Sequence, residues 1–364
     1  MAHRSPLYDL HRSLGATFFM EEGGCELVER FQEPVQEHQA VRESVGLLDL
    51  PFRTLVRVTG TERTRFLNGM LTNDIARLET GKGCYACMLT PQGKILADLE
   101  VYAFHDYHLL ELGFQWKGQV LDHLNKYVIA DDVSFEELQE DTLIAIQGPR
   151  TGAALGRVLP RAPLPRHERD CAELTLEDHP CRIMQASITG EDGYKLAISG
   201  TGAELVWRTL QEVGATPVGM IALNSLRLEA GIPWFGIDFD EGYFPQEAGI
   251  EDKAVSFTKG CYIGQEFVIR IAHRGHVNRC VRGLIIEGES LPHSGDRVLR
   301  DEKEIGQLTS AARSPSLGKI LALAMLRREA HEAGTAVHVV SDGKKISAEV
   351  TPLPFYRCSS AQPS

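Results

Sequence analysis

The residues with the greatest chemical potential lie in one short segment, residues 258–270, with the sequence TKGCYIGQEFVIR. Lys259 precedes Cys261 by two positions, and Arg270 follows it by nine. Neighbouring cations lower the pKa of a thiol and favour the thiolate, which is the form that acts as a nucleophile or a metal ligand. The glycines on either side of Cys261 favour a shaped loop over a plain helix. The segment therefore predicts a reactive thiolate, and a buried structural cysteine beside a helix start is the alternative.

The same segment is similar to a known signature. The pattern Lys-Gly-Cys-Tyr-x-Gly-Gln-Glu, followed four residues later by arginine, resembles that of the YgfZ family, folate-binding proteins that help to make or repair iron-sulfur enzymes. That family is related to the glycine-cleavage T-protein, a tetrahydrofolate-dependent aminomethyltransferase, and most of the chain resembles both. The resemblance implies an α+β fold in which two ferredoxin-like lobes and a C-terminal antiparallel β-barrel form a cloverleaf around a central folate channel.

The order of the predicted elements is compatible with this fold. Within residues 55–128, hydrophobic periodicity predicts a strand, a helix, further strands joined by a turn at 91–94, and a second helix, which is the order of a split βαβ unit. A similar order recurs between residues 143 and 213. After Arg279, short strands separated by Gly, Pro and Ser turns predict a small antiparallel barrel or sandwich.

These patterns predict a chain of two large parts and a tail. Residues 1–278 are predicted to form a folate-binding module of two interleaved lobes, about 1–138 and 139–278. Residues 279–358 are predicted to form the barrel, and residues 359–364 a disordered tail. Because the resemblance implies a first lobe that is discontinuous in sequence, these linear limits are approximate.

Composition disfavours several classes of function. The 364 residues carry a formal net charge of −12, which argues against a nucleic-acid partner. No run approaches the roughly 18 apolar residues of a membrane span. The N-terminus lacks the apolar core of a secretory signal, so no membrane partner and a cytoplasmic location are expected. Cys84 and Cys87 form a CxxC, but no second pair completes a zinc site, so no metal site is predicted.

Residues 270–282 form a basic segment on this acidic chain. The segment contains four arginines and two histidines and no acidic residue. Such a segment predicts contact with a small anionic group, such as a phosphate or a polyglutamate tail. A solvated strand edge protected by charges is the alternative interpretation.

The turn at residues 189–194, Thr-Gly-Glu-Asp-Gly-Tyr, is a candidate binding site. Its composition suits a tight hairpin turn, which explains the sequence without a ligand. A carboxylate held at such a turn can also accept two parallel hydrogen bonds from the aminopyrimidine edge of a pterin. The turn resembles the family's Thr-Gly-Glu-Asp-Gly segment, whose glutamate grips the pterin. The resemblance therefore implies a pterin-binding role for Glu191, and Tyr194 in the same segment is also predicted to bind the cofactor.

Four further residues complete the predicted cofactor site. Arg227 lies in Leu-Arg-Leu-Glu-Ala-Gly, a segment in which the resemblance implies that the arginine lines the folate channel. The helix dipole alone also explains an arginine near a helix C-terminus. Asn73 belongs to a Thr-Asn-Asp sequence that resembles the family's and is expected to support the same pocket. Lys259 and Arg270 are predicted to contribute cofactor-binding charges.

Asp98 is the predicted catalytic carboxylate. A transferase that moves a one-carbon unit to folate needs a carboxylate near the folate N5 and N10 nitrogens, to orient the amine and stabilise developing positive charge. The T-protein pattern Gly-Gly-Ile-x-Asp-Asp-Leu corresponds here to Gly-Lys-Ile-Leu-Ala-Asp-Leu at residues 93–99. One of the two carboxylates is thus an alanine, which weakens the prediction of aminomethyl transfer.

Three hypotheses of function follow. The leading one is a tetrahydrofolate-binding protein that uses Cys261 to support iron-sulfur cluster assembly or repair, with assembly or client proteins as partners. The alternative is a tetrahydrofolate-dependent aminomethyltransferase, or a related demethylase, that uses Asp98. The third is a ligand-free scaffold that docks partner enzymes through residues 270–282 and binds them in a salt-sensitive way.

Overall fold

The computed structural model describes residues 3–21, 23–160, 162–176 and 178–358, so the predicted tail at 359–364 lies outside the described residues. Helices and strands alternate through the first two thirds of the chain and give way to strands at its end. Within the described residues, none of the helices is both long and apolar enough to cross a membrane.

The first fifty residues form a small sheet and one strand of a larger sheet. In chain order they are β1 (His3–Arg4), α1 (Tyr8–Ser13), β2 (Thr17–Met20), β3 (Cys25–Arg30), α2 (Pro34–Glu43) and β4 (Gly46–Asp49). Strands β1, β3 and β2 form a three-stranded sheet in that order. Pro34 suits the first position of α2, because the N–H that proline lacks has no partner in the first turn of a helix.

The first lobe is built on a five-stranded sheet. Its elements are β5 (Arg53–Thr59), α3 (Arg63–Met70), β6 (Gly83–Leu89), β7 (Ile95–Ala103), β8 (His108–Gly113), α4 (Lys117–Tyr127) and β9 (Ser134–Glu137). The strand order is β6-β7-β8-β5-β9, with antiparallel neighbours throughout. The predicted strand, helix, paired strands and second helix are confirmed.

Strand β7 divides its side chains between two environments. Ile95, Ala97 and Leu99 are fully buried in the core of the lobe, whereas Asp98 and Glu100 are only half-buried on the opposite face. This alternation is the period of two that the sequence predicts for a strand with one face on a core. It directs two carboxylates away from the core and toward the second lobe.

The second lobe is built on a six-stranded sheet. Its elements are β10 (Asp141–Gln147), α5 (Thr151–Val158), β11 (Cys171–Leu176), β12 (His179–Gln185), β13 (Gly193–Ser199), α6 (Gly200–Glu212), β14 (Thr216–Pro217) and α7 (Met220–Glu229). The strand order is β11-β12-β13-β10-β4-β14. Because β4 precedes the first lobe in sequence, the two lobes interleave along the chain.

A connecting segment runs from α7 back across the first lobe. It contains α8 (Pro245–Ala248), α9 (Glu251–Ala254) and α10 (Gln265–Arg274). Its apolar residues Ala248, Ala254 and Val268 are buried in the core of the first lobe. That core is therefore completed by residues more than a hundred positions downstream of its own strands.

The chain ends in a closed barrel. The barrel comprises β15 (Arg279–Ile286), β16 (Arg297–Arg300), β17 (Lys303–Ser314), β18 (Lys319–Arg327), β19 (Ala336–Ser341) and β20 (Lys344–Thr351). All neighbouring strands are antiparallel, in the order β15-β18-β17-β16-β19-β20. Closure pairs every edge and encloses a small core of residues such as Leu284, Leu308 and Leu326. The predicted antiparallel barrel is confirmed.

Candidate functional site

A cavity of about 520 Å³ lies where the two lobes meet. The first lobe contributes side chains of β5 to β8 to its wall, and the second lobe contributes β13 and the segment that precedes β11. The chain after α7, residues 230–237, supplies most of the remaining wall. Cavities of roughly 300–1,000 Å³ with apolar walls and a few polar groups are typical small-molecule sites.

Asp98 projects from β7 into this cavity. Its carboxylate accepts one hydrogen bond, from the phenol of Tyr85 at 2.8 Å. Burial raises the pKa of Asp98, and the nearby charge of Arg53 and the hydrogen bond from Tyr85 oppose that rise without cancelling it. Asp98 is therefore a carboxyl group in the cavity with a raised pKa, held in place by the neutral phenol of Tyr85.

The neighbouring Ala97 occupies the position of the first aspartate of the T-protein pattern. Ala97 is fully buried and belongs to the apolar core of the first lobe. Of the two positions at which the T-protein pattern has aspartates, only Asp98 lines the cavity here. The alanine therefore leaves the cavity-facing carboxylate in place.

A second group of charges spans the two lobes. The carboxylate of Glu111 on β8 accepts hydrogen bonds from Arg53 Nε at 3.0 Å and from Lys195 Nζ at 2.6 and 2.9 Å. Glu111 is fully buried, and although burial opposes ionisation, the charges of Lys195 and Arg53 lower its pKa. Two cations thus share one carboxylate on the cavity wall.

Arg169 forms a separate ion pair across the same cavity. Its guanidinium donates from Nε and Nη2 to the two oxygens of Glu100, at 2.6 and 3.1 Å. This parallel geometry is the strongest form of arginine–carboxylate contact. Glu168 lies 3.6 Å from the same guanidinium, so the charge of Arg169 is fully matched.

Aromatic rings provide the apolar part of the wall. Phe52 packs on Trp234 with ring centroids 5.6 Å apart, and Trp116 packs edge-on against Phe235 at 4.9 Å. All four rings line the cavity. Flat apolar surfaces beside charged groups suit a ligand that has planar rings and polar edges.

A second cavity of about 570 Å³ adjoins the first on the side of the barrel. Ala230, Gly231, Pro233, Gly249 and Lys253 line both cavities. Beyond these shared residues the second cavity is lined by Ala248, by residues of barrel strands β15 and β20, by His331 and Ala333 between β18 and β19, and by the segment at 352–354. The open space therefore extends from the interface of the lobes toward the barrel.

Two family models match the chain. The GCVT N-terminal domain matches residues 7–259, and the glycine cleavage T-protein C-terminal barrel domain matches residues 279–357. The chain belongs to the glycine cleavage T-protein family. The second match begins at the first residue of β15 and includes all six strands of the barrel.

Full-length relatives share this organisation. The chain is 31% identical to the aminomethyltransferase of Alcanivorax borkumensis over 99% of each chain, and 34% identical to that of Streptomyces avermitilis over 96% of each. The crystal structure of the glycine cleavage system aminomethyltransferase T from Bartonella henselae superposes with a TM-score of 0.90 at 26% identity, covering 98% of this chain and 99% of that one. These matches support the T-protein fold, and the narrower YgfZ assignment stays a hypothesis.

In this T-protein family member, Glu191 lies beside the cavity and is committed to another partner. Gly190 lines the cavity, whereas the buried carboxylate of Glu191 accepts a hydrogen bond from Arg42 Nη1 at 2.7 Å. Arg42 also binds Glu229 and packs over the ring of Tyr356. The predicted turn is confirmed, and the pterin-binding role of Glu191 stays a prediction.

Arg227 and Tyr194 also lie outside the cavity wall. Arg227 is buried in an ion pair with Asp238, donates to Ser310 Oγ at 2.6 Å, and lies 4.9 Å from the ring of Trp234. It therefore supports a wall residue from behind and ties α7 to the barrel. Tyr194 donates its hydroxyl to Pro165 O at 2.9 Å within the second lobe.

Asn73 and Lys259 form the layer beneath the wall of the cavity. The amide of Asn73 donates to the carbonyls of Tyr85 at 2.8 Å and Lys253 at 3.1 Å, and both of these residues line the cavity. Lys259 Nζ donates to three backbone carbonyls, one of them that of Asn73, at 2.6 to 2.7 Å. Burial lowers the pKa of Lys259 to about 8. Lys259 is thus a structural donor at this position.

The rest of the 258–270 segment faces outward. Cys261 and Arg270 are exposed, and neither lines the cavity. Gly264 adopts a φ of +82°, and a Cβ at that position would lie 2.5 Å from Thr90 O. Only glycine therefore allows the segment to pack on the turn that precedes β7. This packing links the motif to the strand that carries Asp98.

The side chains of the basic segment at 270–282 lie in different environments. Arg279 pairs with Glu247 at 3.1 Å and packs over Tyr243, and Arg282 donates to Val281 O at 2.9 Å. His273 and His276 are exposed. In the described part of the chain, no group of three or more His, Cys, Asp or Glu side chains is arranged to hold a metal ion.

Sequence reasoning missed the charges that share the cavity with Asp98. Arg53, Glu111 and Lys195 all lie in strands. Glu111 interrupts the apolar run at residues 109–112, and Lys195 directly precedes the apolar run at residues 196–198. A charged residue inside an apolar strand is costly unless a partner neutralises it. That cost is the signal that would have marked Glu111 and Lys195 as a pair.

Proposed function

We propose that this T-protein family member is a tetrahydrofolate-dependent aminomethyltransferase with Asp98 as its catalytic carboxylate. The relatives named aminomethyltransferase, which match over nearly the whole chain, support this function better than iron-sulfur maintenance. The observation that carries the proposal is the position of Asp98. It lies on the wall of an aromatic-lined cavity, and Tyr85 is its hydrogen-bond donor.

The cavity fits the cofactor that the family resemblance implies. Its aromatic rings match planar heterocycles, its charged groups match polar ring edges, and its volume of about 520 Å³ falls within the range of cofactor sites. Phe52, Trp116 and Trp234 are the rings that would hold tetrahydrofolate. When bound, tetrahydrofolate supplies the nitrogen atoms that accept the one-carbon unit.

Residues of the chain bind the donor amine, orient the catalytic carboxylate and exclude water. Asp98 holds the amine of the donor by charge and stabilises positive charge that develops at the reacting nitrogen. Tyr85 fixes the orientation of the carboxylate through its hydrogen bond. The raised pKa of Asp98 favours its taking up a proton from the amine relative to an exposed aspartate. The aromatic walls exclude water from the reacting groups.

The proposal extends to a partner and a location. The donor in this role is an aminomethylated lipoyl carrier protein, which must reach the cavity from the surface. A cytoplasmic location is part of the same proposal. Neither assignment depends on the exposed thiol of Cys261.

Two measurements on one pair of variants test the proposal. Anaerobic titration with tetrahydrofolate should give saturable binding in the wild type and in Asp98→Asn. Transfer from an aminomethylated lipoyl carrier should fall by about 10²- to 10³-fold in Asp98→Asn, because a neutral amide stabilises developing positive charge poorly. Asp122→Asn, which alters an exposed carboxylate on α4, is the matched control. Turnover that survives in Asp98→Asn would overturn the proposal.

Iron-sulfur maintenance is a second candidate that one observation favours. Cys261 is exposed in a loop where a client protein can reach its thiol. The test is to replace the wild-type protein in cells with Cys261→Ser and measure iron-sulfur enzyme activity. Loss of that activity with unchanged folate binding would support this function, and unchanged activity would exclude it.

A further inference from the structure

The two adjoining cavities differ in the charge of their walls. Among the described residues, the first cavity is lined by five carboxyl groups and four cations. These are Glu21, Asp98, Glu100, Glu111 and Glu168, and Arg53, Arg169, Lys195 and Lys253. The described residues that line the second cavity include the cations Lys253 and Arg282 and no Asp or Glu. An anionic group is therefore disfavoured in the first cavity and favoured in the second.

Lys253 lies where the two cavities meet. It lines both of them and is exposed. Its backbone carbonyl accepts a hydrogen bond from the amide of Asn73 at 3.1 Å. In the described part of the chain, its ammonium group makes no hydrogen bond or ion pair. Asn73 thus fixes the backbone of a lysine whose charge can act on a ligand.

Arg282 lines the second cavity from strand β15 of the barrel. Its Nη1 donates to Val281 O at 2.9 Å and contacts Cys280 Sγ at 2.8 Å, and its Nε donates to His331 O at 3.4 Å. These contacts orient the guanidinium. Among the described residues, none accepts a hydrogen bond from Nη2. An oriented guanidinium with an unused donor is a good partner for a carboxylate.

The groups beside Arg282 leave its charge directed at the cavity. Burial raises the pKa of Glu251, and the charge of Arg282 opposes that rise. Glu251 does not line the cavity, and within the described residues it forms no ion pair with Arg282. His331 does line the cavity, but burial lowers its pKa, so the neutral form predominates at pH 7. The positive charges of the cavity wall are thus those of Lys253 and Arg282.

Two arginines of the basic segment at 270–282 differ in the same way. Arg279 pairs with Glu247 at 3.1 Å, so the protein itself supplies its anion. Arg282 has no such carboxylate among the described residues. The sequence predicts a small anionic partner for this segment, and Arg282 is the arginine that brings the prediction to a cavity.

We propose that Lys253 and Arg282 bind the carboxylates of a γ-linked polyglutamyl tail on tetrahydrofolate. The pterin would occupy the first cavity, and the tail would pass the shared residues Gly231 and Gly249 into the second. Each further γ-linked glutamate adds one carboxylate, so a polyglutamyl form gains contacts that the monoglutamate lacks. The inference rests on the proposed function, because it takes tetrahydrofolate as the ligand of the first cavity.

The experiment compares three ligands that share one ring system. Tetrahydropteroate, tetrahydrofolate with one glutamate, and tetrahydrofolate with three γ-linked glutamates are titrated anaerobically into the full-length protein. The wild type should bind the triglutamate about tenfold more tightly than the monoglutamate, because two added carboxylates meet two cations. Raising the salt concentration to about 0.5 M should reduce this preference by screening, and should leave tetrahydropteroate affinity unchanged.

Variants of the two cations test the assignment. Arg282→Met and Lys253→Met should each lower the preference to about threefold, the double variant should abolish it, and Arg282→Lys should keep part of it. The preference is a ratio of two affinities measured on one protein, so a smaller folded fraction does not change it. Lys319→Met removes an exposed charge from β18 outside both cavities and should keep the full preference.

The outcomes separate the inference from the proposed function. Equal affinity of the wild type for monoglutamate and triglutamate, or equal loss of preference in Lys319→Met and Arg282→Met, would overturn the inference and leave tetrahydrofolate as the ligand. If Arg282→Met keeps the preference and raises the carrier concentration needed for half-maximal transfer, the cations bind the carrier and the inference is wrong. If the preference depends on Arg282 but transfer fails, the tail site stands and the proposed function fails. Binding of none of the three ligands would overturn both.

Discussion

The cavity between the lobes and the segment 258–270 differ in how they bring reactive groups together. The segment places a lysine, a cysteine and an arginine within thirteen residues, and the fold then separates them. Lys259 is buried, whereas Cys261 and Arg270 are exposed. The cavity takes charged side chains from strands β5, β7, β8 and β13 and directs them into one space. A shared concave space, rather than density along the chain, therefore marks the candidate catalytic site.

The difference also changes how the sequence motif is interpreted. Lys259 binds the carbonyls at the end of α3, and Gly264 packs against the turn before β7. Both contacts hold elements from which cavity residues project. Lys259 and Gly264 thus support the cavity through backbone contacts, and the thiol of Cys261 remains at the surface.

The largest expected effect compares Asp98 with Cys261 in one transfer assay. We expect Asp98→Asn to lower turnover by about 10²- to 10³-fold, or about 3 to 4 kcal/mol, because the charge at the reacting amine is lost. Cys261→Ser should change turnover by less than twofold, because its thiol lies outside the cavity. Steady-state rates with a lipoyl carrier measure both. A reversed order would show that the motif, and not the cavity, carries the chemistry.

The second prediction concerns a charge that is buried beneath the cavity. Burial alone would raise the pKa of Glu229, but hydrogen bonds from His38, Ser314 and Arg42 lower it from 4.5 to about 2. Because the folded-state pKa lies below the unfolded value, ionised Glu229 stabilises the folded state. This contribution is fully present above pH ~4.5 and is lost as the pH falls toward 2. The shift corresponds to about 3 kcal/mol of unfolding free energy.

Denaturant titrations between pH 7 and pH 2.5 measure this dependence. Glu229→Gln should be less stable at pH 7 and should lose less stability on acidification than the wild type. Glu329→Gln, which alters an exposed partner of Lys303, should follow the wild-type curve. Identical pH curves for all three proteins would refute the assignment to Glu229.

The third prediction asks whether Lys259 acts on the fold or on the ligand. Lys259→Met removes a donor from three buried carbonyls and should lower the unfolding free energy by about 2 kcal/mol. Measured well below the melting temperature, tetrahydrofolate affinity should change by less than threefold. Lys253→Met is the contrasting variant, since Lys253 lines the cavity. Loss of tetrahydrofolate affinity in Lys259→Met without loss of unfolding free energy would show that Lys259 contributes to ligand binding.

The sequence predicts the helices and strands well but predicts contacts between distant residues poorly, and particular residues show why. The two-residue alternation in β7 is a local pattern, because successive side chains of a strand point to opposite faces. That pattern alone predicts that Asp98 faces away from the core. The value of Lys195 depends on Glu111, which lies 84 positions away on another sheet. No local pattern specifies that contact. The resemblance to T-proteins supplied the overall arrangement, which periodicity could not.

Glu191 gives the smallest expected effect and tests the boundary of the cavity. The local sequence predicts its turn correctly, but its partner Arg42 lies 149 positions earlier. Because this ion pair holds Glu191 beside the wall, we expect Glu191→Gln to weaken tetrahydrofolate binding by less than tenfold, or less than about 1.4 kcal/mol. Equilibrium titration measures the affinity.

Arg42→Met distinguishes the two roles of Glu191. If Glu191 positions the turn, Arg42→Met should weaken tetrahydrofolate binding at least as much as Glu191→Gln does, since Arg42 also donates to Thr189 O in the same turn and to Glu229. If Glu191 instead exchanges Arg42 for the pterin, Arg42→Met should release the oxygen that Arg42 holds, while Cys358 Sγ still donates to the other oxygen at 2.7 Å. Affinity should then be maintained or increased, whereas Glu191→Gln should weaken binding tenfold or more. Such an outcome would extend the cavity to include the turn, and would show that ligand binding exchanges one partner of a buried carboxylate for another.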